Sequence, residues 1–230
     1  MIKYHKELEQ GSEEWLQQRC GMITASEVKL ILTPTLKVAN NDKTRAHLWE
    51  LAAQRITGNV EQSYVSDDML RGHEDEILAR EQYHKNYAPV TEYGFVTNDK
   101  WGFTLGYSPD GLVGLPGTIE IKSRRQKYQL KTICEYAKTG NHPKDFDLQI
   151  QTGLLVSERD WCDLVSYCGG MFMVTMRVES NPRIQAAIIE AATVCEDRIA
   201  ELIADYKTAV SSGKLRIVTT LRSVEQEIIV

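Results

Sequence analysis

The chain has 230 residues, 42% apolar and 26% charged, which is enough for a sizeable core and too apolar for disorder. Its 15 Gly and 6 Pro are too few for a low-complexity or collagen-like chain, and 27 Lys and Arg against 32 Asp and Glu leave a net charge of −5. Whole-chain charge therefore does not mark a nucleic-acid binder. No run approaches the roughly eighteen apolar residues of a membrane span, and the opening residues Met1 to Lys6 lack the apolar stretch of a secretory signal, so no membrane association and a cytoplasmic location are expected. Cys20, Cys134, Cys162, Cys168 and Cys195 are widely spaced and form no C-x-x-C pair, which argues against a disulfide framework, zinc or an iron–sulfur cluster. Reduced thiols, mostly in the core, are expected.

In chain order, Ser12 caps a short helix that stops near Gly21. Thr24-Ala25-Ser26-Glu27 matches a capping box, which predicts a second helix carrying Val28, Ile31 and Leu32 inward until Thr33-Pro34. A loop over 36–42 leads to a helix over 44–56 stopped by Gly58, then to one over 66–87 closed by Pro89. The period then changes, and short strands are predicted over 90–97, 101–105, 111–113 and 118–121. Helices over 127–138 and 143–157, strands over 161–167 and 171–178, and a long helix capped by Asn181-Pro182 and reaching about 211 complete the pattern. With no linker or repeat, the chain reads as one α/β domain over 1–230: a small mixed β-sheet flanked by helices, with its core over about 12–212. The tail, 213–230, ends in Ile228-Ile229-Val230 and has two readings, packing on the domain or on a neighbouring subunit.

Chemistry concentrates in Gly106-Tyr107-Ser108-Pro109-Asp110-Gly111 and, after a hairpin turn, Thr118-Ile119-Glu120-Ile121-Lys122. Side chains alternate along a strand, so Glu120 and Lys122 share one face while Ile119 and Ile121 pack on the other. If the hairpin pairs, Asp110 lies near Glu120, and two adjacent carboxylates call for a cation between them. An all-oxygen set points to Mg²⁺ or Mn²⁺. Taken singly, Pro-Asp-Gly is ordinary turn chemistry and Glu-x-Lys is often a solvated face; it is their conjunction that carries weight. From 122 to 131 the chain carries Lys122, Arg124, Arg125, Lys127 and Lys131 and no acid. Such a patch can bind phosphate on an acidic protein.

The helix around Glu76 supplies another acid. At about 100° per residue, Met69, Leu70, Gly72, Ile77, Ala79, Tyr83 and Tyr87 fall on one arc that includes Glu76, while Glu74, Asp75 and Glu81 fall outside it. An inward acid is costly unless it is paired or near a metal, so Glu76 is either an ion-pair partner or a site residue.

Six blocks, in order, resemble the phage lambda exonuclease family of viral recombinase nucleases, within the restriction-endonuclease-like superfamily. They are Trp15-x-x-x-Arg19, Ile23-Thr24-Ala25-Ser26-Glu27, Gly72-x-x-x-Glu76-x-x-Ala79-Arg80, Ser108-Pro109-Asp110-Gly111, Glu120-Ile121-Lys122 and Gln149-Ile150-Gln151. The resemblance implies a Mg²⁺-dependent 5′-to-3′ exonuclease on a restriction-endonuclease-like core, encoded by a phage or prophage. Asp110, Glu120, the Ile121 carbonyl and Glu76 would hold one or two ions, with Mn²⁺ as a substitute. Lys122 would act on the attacking water as base or orienting group, or stabilise the transition state. It also implies that Arg19, Ser26, Ser108 and Trp15 form a pocket for the 5′-phosphate of a duplex DNA end, with Ser26 in the first turn of the helix predicted after Thr24. Gln151, in preference to Gln149, is expected beside the catalytic group, and Arg124, Arg125 and Lys127 along the DNA backbone.

The family further implies a single-strand annealing protein as partner, taking the 3′ strand, and a ring of three subunits. A domain of this size cannot encircle DNA alone, and a net charge of −5 does not hold it by broad attraction, so enclosure is a physical route to processivity. A monomer whose tail packs on its own last helix remains the alternative. Two further readings share the core: an endonuclease, and a DNA-end-binding module without catalysis.

Overall fold

The computed structural model describes residues 1–61, 67–213 and 216–222. The expected helix start at Ser66 and the apolar Ile228-Ile229-Val230 lie outside the described residues, as does the side chain of Met69. The elements follow as β1 (Ile2–His5), α1 (Glu13–Arg19), β2 (Ile23–Thr24), a 3₁₀ turn (Val28–Leu30), α2 (Asp42–Thr57), α3 (Asp67–Asn86), β3 (Phe95–Asn98) and β4 (Leu105–Tyr107). Then come β5 (Gly111–Val113), β6 (Gly117–Ser123), α4 (Gln126–Lys131), a π-turn (Thr132–Tyr136), α5 (Asp147–Ser157), β7 (Trp161–Tyr167), β8 (Val174–Glu179) and α6 (Pro182–Ser211). Among the described residues no helix is long and apolar enough to cross a membrane.

The strands form two four-stranded mixed sheets where the sequence implies one. Their orders are β1-β3-β4-β2 and β5-β6-β7-β8, and the chain passes from one to the other through Ser108-Pro109-Asp110. In the second sheet β5 and β6 are antiparallel with Gly111 opposite Ile119, and β6 runs parallel to β7 with Glu120 opposite Leu164. That register sorts the side chains. Ile119, Ile121 and Val165 pack with Ala79 and Tyr83 of α3 on one face. Leu164 and Cys162 pack with Ile150 and Leu154 of α5 on the other, so Glu120 and Lys122 are on the α5 side. The largest cluster lies over the first sheet, where Ile23, Val96 and Leu105 meet Leu48 and Leu51 of α2 and Ile188 and Ile199 of α6.

Local chemistry accounts for most boundaries. Ser12 Oγ accepts from Trp15 N, Asn41 caps α2, and Gly58 takes the left-handed conformation (φ 66°) that closes it. Asn181 caps α6 by accepting from the Arg183 and Ile184 amides, with Pro182 at its first position. Cys162, Cys168 and Cys195 are buried, and all five thiols are free.

The helix expected after Thr24 is reduced to the single 3₁₀ turn Val28–Leu30, although Val28, Ile31 and Leu32 are buried as expected. Thr24 pairs with Gly106 as part of β2, and its hydroxyl donates to Glu27 Oε2 at 2.6 Å instead of capping a backbone amide. The inward arc of α3 is also narrower than its periodicity implies. Ala79 and Tyr83 are buried, but Leu70, Ile77 and Tyr87 are exposed.

Candidate active site

Asp110 ends the crossing between sheets, one residue before Gly111 pairs with Ile119, which sets it beside Glu120 and Ile121. Its Oδ2 accepts the Ile121 amide at 2.5 Å. In a strand the N–H and C=O of one residue point to the same side, so the Ile121 carbonyl lies on this edge too, past the last β5 pair. Glu120 is 1% exposed. Its Oε1 accepts from Lys122 Nζ at 2.7 Å and from Gln149 Nε2 at 2.6 Å, and Gln149 Oε1 accepts from Lys122 Nζ at 3.0 Å. These three side chains close a triangle between β6 and α5, and Lys122 also sits 5.3 Å from the Phe146 ring centre.

Glu76 reaches the same cleft from α3 while its Oε1 accepts from Arg80 at 2.7 Å; Arg80 is held in turn by Glu92. Glu76 is therefore an ion-pair partner of Arg80 that also lines the cleft.

The electrostatics are those of crowded acids. Burial, then Glu120 and Glu76, push the Asp110 carboxyl well above the usual carboxylate range, against the opposing pull of Lys122 and the Ile121 amide. Burial likewise raises Glu76, opposed by Arg80 and His73 and reinforced by Glu120. Lys122 loses some basicity to burial, but Glu120 and Asp110 outweigh that and hold it above an ordinary lysine.

Glu120 Oε2 is buried and has no hydrogen-bond partner, a state that costs about 1–3 kcal/mol unless a cation or water meets it. That orphaned oxygen, the Asp110 carboxylate and the Ile121 carbonyl are hard donors suited to Mg²⁺ or Mn²⁺. Among the described residues no three acidic, His or Cys side chains are already gathered as a ready-made metal cluster, and Asp110 and Glu120 each give an oxygen to a protein donor.

The cleft, of about 460 Å³, continues to a second corner. There the Arg19 guanidinium stacks 4.2 Å over the Trp15 ring and donates to Ser108 Oγ and Thr24 Oγ1, both at 3.2 Å. Trp15 Nε1 donates to the same Ser108 oxygen at 3.0 Å. Ser26 is exposed, with its hydroxyl 3.3 Å from Thr24 Oγ1. This corner is built from side chains, and the nearest helical turn, Val28–Leu30, starts only beyond Glu27. Burial lowers the Arg19 pKa, with Glu27 opposing.

Gln151 is a correction. It is 2% exposed and faces away from the cleft, its Nε2 donating to the Glu179 carbonyl at 2.8 Å and its Oε1 accepting the Asn181 amide at 2.7 Å. It staples the β8–α6 corner, and Gln149 takes the place in the site. Arg124, Arg125 and Lys127 lie beyond the cleft wall, with Arg124 over Tyr128 and Phe146. Sequence reasoning missed Gln10, Arg71 and His73, which also line the cleft. It placed Asp75 outside the inward arc, yet Asp75 Oδ2 accepts from Ser123 Oγ at 2.5 Å. The Gly72-to-Arg80 block and the arc that holds Glu76 pointed toward this part of α3, but neither singled out Arg71, His73 or Asp75.

A mixed sheet with Asp and Glu-x-Lys at one hairpin end, packed between two helices, is the layout of the restriction-endonuclease-like nucleases. The chain belongs to the YqaJ-like viral recombinase domain family, whose model matches residues 14–160. It is similar to the alkaline exonuclease LHK-Exo from Laribacter hongkongensis at 30% identity and a TM-score of 0.76, covering 87% of this chain and 99% of that one. The same enzyme in complex with dAMP gives 30% identity and 0.75 over 88% and 99%. A phage-related exonuclease from Haemophilus somnus 129PT shares the fold at 13% identity and 0.57, over 80% of this chain and 96% of that one. No curated protein matches the chain. These relatives make it a nuclease of that family.

Proposed function

We propose that this chain is a Mg²⁺-dependent exonuclease that digests linear duplex DNA from 5′-phosphorylated ends and leaves a 3′ single strand. The observation that carries the reading is the Asp110–Glu120–Lys122 grouping in one cleft with the Arg19 corner. A metal-free binding module would gain nothing from three crowded carboxyl groups, which oppose binding of a phosphate.

Asp110, Glu120, the Ile121 carbonyl and Glu76 would hold one or two Mg²⁺ ions, with Mn²⁺ as a substitute. The ion supplies an acidified water and positive charge at the scissile phosphate. Lys122 commits protons to Glu120 and Gln149, both acceptors, and an ammonium carries three. The third is available to orient the water or to stabilise charge on phosphorus. Water oxygen bonds to phosphorus, the P–O3′ bond breaks, and the 3′-oxygen leaves with a proton. The next nucleotide then carries a new 5′-phosphate, so each turnover regenerates the group that Arg19, Ser108 and Ser26 would hold. A complex of the relative LHK-Exo with a nucleoside monophosphate is in keeping with such a product.

In this reading the enzyme acts in the cytoplasm of a bacterial host as a ring of three, and its 3′ strand passes to a single-strand annealing protein. Digestion of linear but not supercoiled circular duplex, with Mg²⁺ and not with EDTA, is the expected result. Nicking of circles, or digestion in EDTA, would overturn the proposal.

A further inference from the structure

The basic run leaves the cleft and meets aromatic side chains. Lys122 and Ser123 line the cleft, and at about 3.5 Å per residue Arg125 lies within roughly 11 Å of Lys122 along the chain. The helix α4 that follows is pinned to the turn between β7 and β8. Gln129, fully buried, donates to the Phe172 carbonyl at 2.7 Å and the Ser166 carbonyl at 3.1 Å, and accepts from Ser166 Oγ at 2.6 Å. Gln129 is the inward residue of this helix, and Tyr128, the residue before it, is exposed.

The turn itself carries Phe172 at 86% exposure. Its neighbour Met173 packs into the cluster on the α3 side, while Phe172, two residues before β8 begins, projects into solvent. Gly170, at φ +80°, and the bond from Met171 N to Cys168 O fix the tight bend that lifts it. A lone exposed apolar side chain is ordinary. Here, however, Lys127 Nζ and the Arg124 guanidinium lie 4.8 and 5.3 Å from the Tyr128 ring centre, and Arg125 and Lys127 are exposed, on a chain of net charge −5.

We infer that Phe172 and Tyr128, with Arg125 and Lys127, form a platform for unpaired nucleotides beside the cleft, the rings stacking on bases and the cations meeting phosphates. Intact duplex hides its base faces within the stack except at the terminal pair, so a protruding Phe finds successive faces on a strand that has lost its partner. The inference rests on the nuclease reading, in which digestion of one strand uncovers such nucleotides.

The test is fluorescence anisotropy in EDTA with three labelled DNAs: a blunt duplex, the same duplex with a 3′ overhang of about ten nucleotides, and the free single strand. The wild type binds the overhang more tightly than the blunt end. Phe172→Ala loses on the order of tenfold on the overhang and the single strand, Phe172→Trp keeps it, and Lys127→Ala flattens the salt dependence. Wild-type overhang affinity in Phe172→Ala, or an equal loss on blunt duplex, overturns the platform. Digestion of linear duplex by the wild type in Mg²⁺ is measured alongside. Its failure removes the nuclease reading, and with it the platform's rationale, while digestion together with unchanged Phe172→Ala affinity removes the platform alone.

Discussion

Gln149 Nε2 donates to Glu120 Oε1 at 2.6 Å, which ties the α5 helix to the acid on β6. Two positions along, Gln151 makes an equally close pair of bonds to backbone at the β8–α6 corner. The two glutamines should therefore fail in opposite ways. Gln149→Ala is expected to keep its melting temperature and lose turnover by about a hundredfold, the lower end of what removing one positioned donor in a site costs. Gln151→Ala removes two part-buried hydrogen bonds to backbone, at about 0.5–1.5 kcal/mol each, and should cost about 1–3 kcal/mol of stability while the folded fraction keeps its activity. Denaturant melts and single-turnover rates on both variants check the crossover.

The crowded carboxyls predict a trade between stability and catalysis. Asp110 has a raised pKa in the folded protein, so between its unfolded value and that raised value the folded state holds more protons. Stability of the metal-free protein is then fullest below the unfolded value and falls as pH rises through the folded one. Asp110→Asn keeps an acceptor for the Ile121 amide and removes the repulsion. In EDTA at neutral pH it should melt above the wild type, with a flatter pH profile, and be inactive in Mg²⁺. A lower melting temperature across that range would contradict this electrostatic account.

Arg19 is held by shape as well as charge, stacked on Trp15 and forked between Ser108 and Thr24. Lys has no planar fork, so Arg19→Lys should behave nearly as Arg19→Ala. Both variants should lose most of the preference for 5′-phosphate over 5′-hydroxyl ends, read as the ratio of initial rates on the two substrates. A Lys variant that keeps the full ratio would show that charge alone suffices.

The thiols offer a probe of the α6 packing. Burial, with Glu196 adding to it, pushes the Cys195 thiol up to about 11. A raised thiol keeps its proton in the folded state while the unfolded chain releases it, so stability should fall as pH climbs from about 9 toward about 11. At neutral pH the exposed Cys134 should react first with a thiol reagent, and Cys162, Cys168 and Cys195 only on unfolding.

Where one local device decides an element, the sequence reads well. Asn181-Pro182 places the start of α6, and β7 coincides with its predicted span because strand-forming Trp161, Val165 and Tyr167 are bounded by Asp160 on one side and the Gly169-Gly170 turn on the other. Glu120 and Lys122 could be put on one face because strand alternation leaves little freedom, and the pairing of β5 with β6 sets Asp110, just before β5, beside them. β1 and β2 were not legible, since strands this short gain their stability from β3 and β4, which lie far off in sequence. The capping box at Thr24 misled for the same reason, as sheet pairing overrode local propensity. Gln149 and Gln151 could not be told apart because α5 is buried on most of its circumference, so no polar face marks the side toward the site.

Single-turnover cleavage by Asp110→Ala in saturating Mg²⁺, measured beside its melting curve and its binding to a 5′-phosphorylated duplex end, tests the central claim most directly. The account predicts a folded protein that binds the end and does not cut it, because the carboxylate opposite Glu120 is gone. Cleavage near the wild-type rate would contradict the assignment of this hairpin as the active site.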